Sequence, residues 1–179
     1  FTNIRQNGKI AMKLNENDEL VSVIPCSDKD NVLLATRLGK AIRFDVNDVR
    51  VFVGRGSSGV RGIKLKPNDY VVSMSLIPEQ ERRYILSVTE NGFGKRTPIE
   101  DYRMTNRGGQ GVANIECSSR NGPVVASYVA SEDDQIMLVT NSGKLIRIRV
   151  HGGEGDSIRI AGRKTQGVRL FDVDDEEKV

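Results

Sequence analysis

The feature that most constrains this chain is an internal repeat with a period of a little over 50 residues. Two series of glycines mark the period: Gly39, Gly92 and Gly143 in one motif, and Gly59, Gly111 and Gly167 in another. Their spacings are 53 and 51 residues in the first series and 52 and 56 residues in the second. Because a repeated unit buries its apolar face against its neighbours, the chain is expected to be an array rather than a lone sandwich.

The repeat predicts three complete units and part of a unit at each end. The predicted bounds are 1–17 for the end of a preceding unit, 18–68, 69–121 and 122–172 for the complete units, and 173–179 for the start of another. The first partial unit is indicated by the match of Asn7–Leu14 to Ser58–Leu65. The chain begins at Phe1 without a methionine, so we expect it to be part of a longer polypeptide.

Each unit has the pattern of short strands. Apolar runs rich in β-formers occur at Val32–Thr36, Tyr84–Thr89 and Ile136–Thr140. A glycine-containing turn follows each run, and polar and apolar residues then alternate, as in Lys144–Val150. No stretch keeps a helical period over three turns. With about four strands in a unit of this length, the pattern predicts an all-β fold, a propeller-like array of blades.

A glycine-rich basic turn recurs in every complete unit, at Gly54–Arg61, Asn106–Gly111 and Gly162–Arg169. Glycines let backbone N–H groups approach a phosphate, and arginines add charge and forked donors. For one such loop alone, structural glycines and solvated arginines are the better explanation. Recurrence favours binding, because equivalent loops of successive blades should lie on one rim and their charges should add.

These turns and the strands beside them supply the candidate DNA-binding residues. The primary candidates are Arg50, Arg55, Arg61, Arg103, Arg107, Arg163 and Lys164, and Lys95 and Arg96 are secondary candidates. For the secondary pair, an exposed sheet face kept soluble by charge is an equally good explanation.

The charge balance also favours a polyanionic partner. The formal net charge is +3, but the segment 171–179 holds five acids and one lysine. The rest of the chain has 26 basic and 19 acidic residues, a net charge of +7. Aromatic residues make up only 5% and tryptophan is absent, which argues against single-strand or RNA readers that stack bases on rings.

Other functional classes lack support in the sequence. The single histidine, His151, makes neither a zinc site nor a catalytic triad, and no acid cluster or nucleophile–base pair is evident. Cys26 and Cys117 lie far apart and form no CxxC pair, so two free thiols in a reducing cytoplasm are expected. No apolar run reaches the length of a transmembrane helix.

Several of these motifs resemble a known family. Phe1–Arg5 with Gly8–Ala11, Gly59–Leu65, Asn91–Thr97 and Gly162–Val168 are similar to the later blades of the C-terminal domain of DNA gyrase A subunits. The resemblance runs the whole length of the chain. It implies a β-pinwheel, a six-bladed propeller-like disc whose blades exchange strands, with duplex DNA wrapped around a basic outer rim.

The resemblance also implies a division of labour. The chain would support ATP-dependent negative supercoiling by a bacterial, cytoplasmic and nucleoid-associated holoenzyme without catalysing a step itself. Its partners would be double-stranded DNA, the gyrase B subunit, and the rest of the A subunit, with no membrane. No metal or cofactor is expected in this chain, since ATP and Mg²⁺ would act elsewhere in the holoenzyme.

The chain departs from the family pattern at one hallmark. The Gln-Arg-Arg-Gly-Gly-Arg-Gly run of an early blade is absent, and Asn106–Gly111 is only a degenerate echo of it. We therefore expect the chain to lack the element most needed for full wrapping. Two alternatives stay open: the related C-terminal domain of a topoisomerase IV A subunit, and a propeller-like scaffold that binds proteins.

Overall fold

The computed structural model describes residues 6–78, 83–153, 157–174 and 176–179. Residues 1–5 of the predicted first segment and residue 175 of the last lie outside the described part. The described strands are β1 (Asn31–Thr36), β2 (Lys40–Asp45), β3 (Val71–Ile77), β4 (Tyr84–Thr89), β5 (Phe93–Pro98), β6 (Val112–Ala113), β7 (Val124–Ala130), β8 (Gln135–Val139), β9 (Leu145–Arg149) and β10 (Val168–Arg169). Short 3₁₀ turns occupy Val46–Asp48 and Ile99–Asp101.

The strands form antiparallel sheets in succession along the chain. The first sheet has the order β3-β1-β2-β6, the second has the order β10-β5-β4-β7, and β8 pairs with β9 in a third. The prediction of an all-β, propeller-like array of sheets is confirmed. Each apolar run of the sequence is the first strand of a hairpin, as in the pairing of β1 with β2 from Asn31↔Asp45 to Ala35↔Ala41.

The four strands of a sheet do not come from one sequence unit. In the first sheet, β1 and β2 lie within residues 18–68, whereas β3 and β6 lie within 69–121. The second sheet repeats this arrangement, with β7 and β10 supplied from beyond residue 121. A lone hairpin is marginally stable in water, and the strands added on both sides complete the sheet. Adjacent units are therefore interlocked, and the unit bounds inferred from the sequence stay predictions.

A recurring hydrogen bond shows where each following unit joins the hairpin before it. The backbone N–H of Arg37 donates to the carbonyl of Tyr70 at 2.9 Å, just before β3 begins. Glu90 donates to Pro123 at 2.9 Å before β7, and Asn141 donates to Lys178 at 2.9 Å. We call residues 173–174 and 176–179 the terminal segment. It approaches the third hairpin, β8–β9, in the way that residues 69–70 approach the first hairpin, β1–β2.

The glycines of the hairpin turns have left-handed backbone conformations. Gly39 has a φ of 77° and Gly92 a φ of 75°. A side chain at Gly39 would also collide with the carbonyl of Ile115, and one at Gly92 with that of Phe171. These glycines are therefore needed both for the turn and for the close approach of the chain that follows β6 or β10.

The apolar core lies between successive sheets. Leu33, Ala35 and Ile77 of the first sheet pack with Ile85 of the second and with Tyr102. A second cluster joins the second sheet to the β8–β9 hairpin, with Leu86, Val88, Leu138 and Val150 among its members. Each sheet therefore buries one face against the next, as a radial array requires.

A buried polar network crosses the junction of the first two sheets. Asn114 accepts from the hydroxyl of Tyr102 at 2.6 Å and donates to the hydroxyl of Ser127 at 2.9 Å. Ser127 also donates to the Ser87 hydroxyl at 2.9 Å, and its carbonyl accepts from Ser73 at 2.8 Å. Burial raises the pKa of Tyr102 well above its usual value, so its hydroxyl stays protonated and donates.

Two further findings concern the cysteines and membrane-spanning helices. Cys26 and Cys117 are both free thiols. Among the described residues, no helix is long and apolar enough to cross a membrane.

Candidate nucleic-acid interface

The two four-stranded sheets contact each other along one edge of each sheet, and the opposite edge of each sheet lies away from this contact. The edge strands β3 and β7 pack against each other, and Ser73 and Ser127 exchange hydrogen bonds of 2.8 and 3.1 Å between them. The opposite edges are formed by β6 and β10. We use the name outer edge for β6 and β10, the segments 103–111 and 162–167 that lead into them, and the equivalent first-unit segment 50–61. That first-unit segment adjoins the turn before β6, because Arg107 donates to the carbonyls of Asp48 and Arg61.

The glycine-rich turns of the second and third units lie on this outer edge. Gly111, with a φ of 67°, precedes β6, and Gly167, with a φ of 77°, precedes β10. A Cβ at Gly111 would collide with the carbonyl of Ala41, and one at Gly167 would lie 2.7 Å from the carbonyl of Gly94. The glycines therefore let each turn lie directly on the hairpin of the preceding unit.

An arginine in each of these turns holds the turn to the preceding unit. Arg107 donates from Nε to the carbonyl of Asp48 at 2.8 Å and from Nη1 to the carbonyl of Arg61 at 3.1 Å. Arg163 donates from Nη1 to the carbonyl of Ala113 at 3.0 Å. Arg61 and Ala113 occupy the same position, two residues after a turn glycine. Arg107 and Arg163 both remain half-exposed, so the arginines anchor the turns and still contribute charge at the outer edge.

The other primary candidates are exposed. These are Arg50, Arg55, Arg61, Arg103 and Lys164. The guanidinium carbon of Arg50 lies 4.5 Å from the centre of the Phe52 ring, so the ring fixes its direction. The structure brings Arg61 and Arg107 together on the outer edge through the hydrogen bond between them.

Lys95 and Arg96 lie inside the protein, in contrast to the exposed position expected for secondary DNA contacts. Lys95 is 0% exposed and Arg96 is 4% exposed. Both lie on β5, which the chain following β9 covers. Neither side chain presents its charge at the surface.

The buried charges instead bind carbonyls of the third unit. Lys95 Nζ donates to the carbonyl of Gly162 at 2.5 Å, and Arg96 Nε donates to that of Ile158 at 2.7 Å. Burial, and then the nearby charge of Arg163, lower the pKa of Lys95 to about 8, with Asp101 acting in the opposite direction. Arg96 also lies over Tyr84 at 4.9 Å and 3.7 Å from the carboxylate of Glu132.

Arg169 is a further candidate that the sequence does not single out. It is exposed on β10 and occupies the position equivalent to Arg61, two residues after Gly167. It pairs with Asp172 at 2.7 Å. Its repeat position was the signal that could have selected it, because Arg61 was a candidate on the same ground.

The acidic terminal segment is held by the third hairpin. The carboxylate of Glu177 is 4% exposed and accepts from Lys144 Nζ at 2.6 Å, from the Thr140 hydroxyl at 2.5 Å and from Ser142. The bond from Lys144, followed by those from Ser142 and Thr140, lowers the pKa of Glu177 to about 2. Hydrogen bonds to Asp174 and Glu177 raise the pKa of Lys144 to about 12.

The described residues contain no group of three or more His, Cys, Asp or Glu side chains arranged to hold a metal ion. The outer edge carries arginine and lysine side chains, which offer hydrogen bonding and positive charge.

The chain matches a known family over most of its length. Residues 1–27, 30–78, 83–121 and 134–179 match the family described as DNA gyrase C-terminal domain, beta-propeller. The DNA gyrase A subunit of Rickettsia prowazekii (strain Madrid E) is 39% identical over 225 residues, which cover 100% of this chain and 24% of the relative. The DNA gyrase A subunit of Klebsiella oxytoca is 45% identical over 179 residues, which cover 100% of this chain and 20% of the relative.

Solved structures show the same relationship. A DNA gyrase A C-terminal domain superposes with a TM-score of 0.81 at 31% identity, covering 97% of this chain and 56% of that one. A C-terminal domain of DNA topoisomerase IV superposes with a TM-score of 0.82 at 29% identity, covering 90% of this chain and 48% of that one. This chain spans about a quarter or less of the two gyrase proteins named above.

The topoisomerase IV alternative thus shares the fold, while the family description and both of these sequence relatives are those of gyrase. The chain belongs to the DNA gyrase C-terminal domain family and has its propeller-like fold.

Proposed function

We propose that this chain binds duplex DNA along its outer edge through the phosphate backbone and helps to wrap it. The observation that carries the proposal is the repetition of one arrangement. On both complete sheets, an arginine-bearing glycine-rich turn leads into the strand furthest from the β3–β7 contact. Successive sheets therefore offer positive charge along the same side of the array.

The mechanism needs no base contacts. Arginine and lysine side chains on the outer edge neutralise phosphates and release the condensed counterions, which drives binding to any sequence. The binding free energy gained over several contacts offsets the cost of bending the duplex. We assign direct contacts to Arg50, Arg55, Arg61, Arg103 and Lys164, which are exposed.

The partly buried arginines have a double role in this proposal. Arg107 and Arg163 fix their turns through carbonyl contacts, and because both residues are half-exposed their charge is also available to a phosphate. Lys95 and Arg96 contribute indirectly, because they hold Gly162 and Ile158 at the base of the third unit's turn. We expect their removal to misplace Arg163 and Lys164 rather than to remove a phosphate contact.

The relatives support a role within a larger enzyme. Their name as A subunits of DNA gyrase supports a part in ATP-dependent negative supercoiling, in the bacterial cytoplasm at the nucleoid. The partners in that reaction would be the gyrase B subunit, together with the rest of the A subunit. We propose that this chain supplies DNA binding and geometry, while cleavage and ATP hydrolysis, with its Mg²⁺, take place in other parts of the assembly.

Fluorescence anisotropy with two duplexes of equal length and unrelated sequence tests the proposal. We expect similar affinities for both duplexes, and an Arg61→Gln variant should weaken both by the same factor. A variant that changed the preference between the two sequences would contradict backbone binding. Binding of neither duplex at low salt would instead favour a protein-binding scaffold.

A further inference from the structure

A second basic feature lies at the tip of the second sheet, beside the outer edge. A pocket of about 370 Å³ is lined there by Asn91, Phe93, Arg120, Arg169, Asp174 and Lys178, among others. Its walls come from the β4–β5 hairpin, the loop before β7, the outer strand β10 and the terminal segment. The pocket therefore forms only where consecutive units meet.

Two of its arginines are positioned by one ring. The guanidinium carbons of Arg120 and Arg169 lie 4.9 and 5.5 Å from the centre of the Phe93 ring. Phe93 is 3% exposed, so the ring is fixed by the core while both arginines are exposed. A planar guanidinium group held by its face keeps its N–H edge free for an acceptor with two oxygens, such as a phosphate.

The positive charges of the pocket are not fully neutralised by neighbouring carboxylates, so the pocket can accept an anion. Among the described residues, no carboxylate lies within ion-pair distance of Arg120. Arg169 pairs with Asp172 at 2.7 Å, but both side chains are exposed, and such a pair is easily exchanged for another anion. The Asp174 carboxylate is held by Lys144 at 2.8 Å, and Lys178 Nζ donates to Asn91 at 2.8 Å.

A basic pocket of about 240 Å³ lies at the corresponding place on the first sheet. Lys40, Lys66 and Pro67 line it, and they precede Phe93, Ser119 and Arg120 of the other pocket by 53 residues. Two hydrogen bonds confirm this equivalence, one from Arg37 to Tyr70 and one from Glu90 to Pro123. Arg37 precedes Glu90 by 53 residues, and Tyr70 precedes Pro123 by the same number.

The pocket on the first sheet owes its positive charge to different residues from those of the pocket on the second sheet. Lys40, Lys64 and Lys66 surround it together with one carboxylate, Asp69. The Asp69 carboxylate accepts from the backbone N–H of Leu38 at 2.9 Å and so serves the turn. Two successive sheets thus carry an excess of positive charge at the same place, with lysines in one and mainly arginines in the other.

We propose that these two pockets bind phosphodiester groups of the wrapped duplex, one pocket on each sheet. The inference rests on the proposed function and adds contacts near the hairpin tips to those of the glycine-rich turns. Both pockets adjoin the outer edge: Arg169 lies on β10, and Lys40 pairs with Ala113 of β6. A duplex that follows the outer edge would meet them in succession.

The test is the dependence of duplex affinity on salt for single-charge variants. The exposed residues Arg120 and Lys66 are changed to glutamine, one in each pocket. Lys29→Gln is the matched control, because Lys29 is exposed in the turn before β1, at the end of the hairpin away from Gly39. Thermal unfolding confirms that each variant is folded.

We expect Arg120→Gln and Lys66→Gln each to lower the slope of log affinity against log salt by about one, and the double variant by about two. Arg120→Lys should restore most of the slope, and Lys29→Gln should leave it unchanged. If the wild type binds with a steep slope but both pocket variants behave like Lys29→Gln, the pockets are not phosphate sites and the proposed function stands. If the wild type shows no salt-dependent duplex binding, both proposals are wrong.

Discussion

Arg107 Nη1 donates a hydrogen bond of 3.1 Å to the main-chain carbonyl of Arg61, which joins the basic turn of one unit to the outer strand position of the unit before it. The corresponding bond runs from Arg163 to Ala113 at 3.0 Å. The turn arginine is therefore a structural contact between units as well as a positive charge on the outer edge. These two roles can be separated by experiment, because Arg55 is exposed in the equivalent turn of the first unit.

Arg107→Gln should destabilise the protein, whereas Arg55→Gln should not. Loss of the two bonds from Arg107 to carbonyls is expected to lower the free energy of unfolding by about 1–2 kcal/mol, given its partial exposure. For Arg55→Gln a change within about 0.5 kcal/mol is expected. Urea unfolding measures both values, and equal stability of the two variants would show that the carbonyl contacts do not hold the turn.

Gly92→Ala should destabilise far more than Gly143→Ala. Both glycines have positive φ, 75° and 84°, so either substitution introduces backbone strain of about 1–2 kcal/mol. At Gly92 the added methyl group would also collide with the carbonyl of Phe171, whereas nothing lies within 4 Å of that position at Gly143. We expect a total loss of about 2–4 kcal/mol for Gly92→Ala. Comparable losses in urea unfolding would refute the close packing of the outer strand on the hairpin.

The stability of the wild type should rise relative to Lys95→Met between pH 8 and pH 10.5. The folded-state pKa of Lys95 is lowered from 10.5 to about 8, so in this window the unfolded chain binds more protons than the folded one. The cost of burying the charge is thus fully present below pH 8 and disappears as the pH rises through 10.5. Denaturant unfolding of both proteins across this range gives the difference between their free energies of unfolding. A difference that did not change with pH would show that the Lys95 ammonium group is exposed to water.

Docking of the terminal segment should be lost in acid. The folded-state pKa of Glu177 is lowered from 4.5 to about 2, so its stabilising contribution is present above pH 4.5 and is lost as the pH falls towards 2. Hydrogen exchange of the Asn141 amide, which donates to the Lys178 carbonyl at 2.9 Å, reports the docking. Glu177→Gln should abolish this pH dependence, and the exposed control Glu176→Gln should retain it. Protection that stayed constant from pH 5 to pH 2 would contradict the bond to Lys144.

The sequence predicts the hairpins of this fold well, because their signals are local. Apolar runs and turn glycines identify β1–β2, β4–β5 and β8–β9 within a few residues of their bounds. It also selects arginines of the outer edge such as Arg61 and Arg107, because they recur with the repeat. Exchange of β3 and β7 between units is a long-range pairing that leaves no local pattern, so only the family resemblance predicts it.

The misplaced and omitted residues have physical causes. Phe93–Pro98 contains a lysine and an arginine in succession, a pattern typical of an exposed strand, yet five of its six positions are buried because the third unit covers it. The equivalent β9 alternates between exposed and half-buried residues. The sequence does not single out Arg120, because Pro67 stands at its repeat position and only the folded chain brings it next to Phe93 and Arg169.

The most direct test of DNA binding by the outer edge is the salt dependence of duplex affinity for the wild type and for a variant with Arg61, Arg103 and Lys164 changed to glutamine. We predict a steep linear fall of log affinity with log salt for the wild type, and a slope reduced by about three in the variant. The fold of the variant should be intact, since all three side chains are exposed. A slope that is steep and identical in both proteins would place the DNA on another surface and contradict the account.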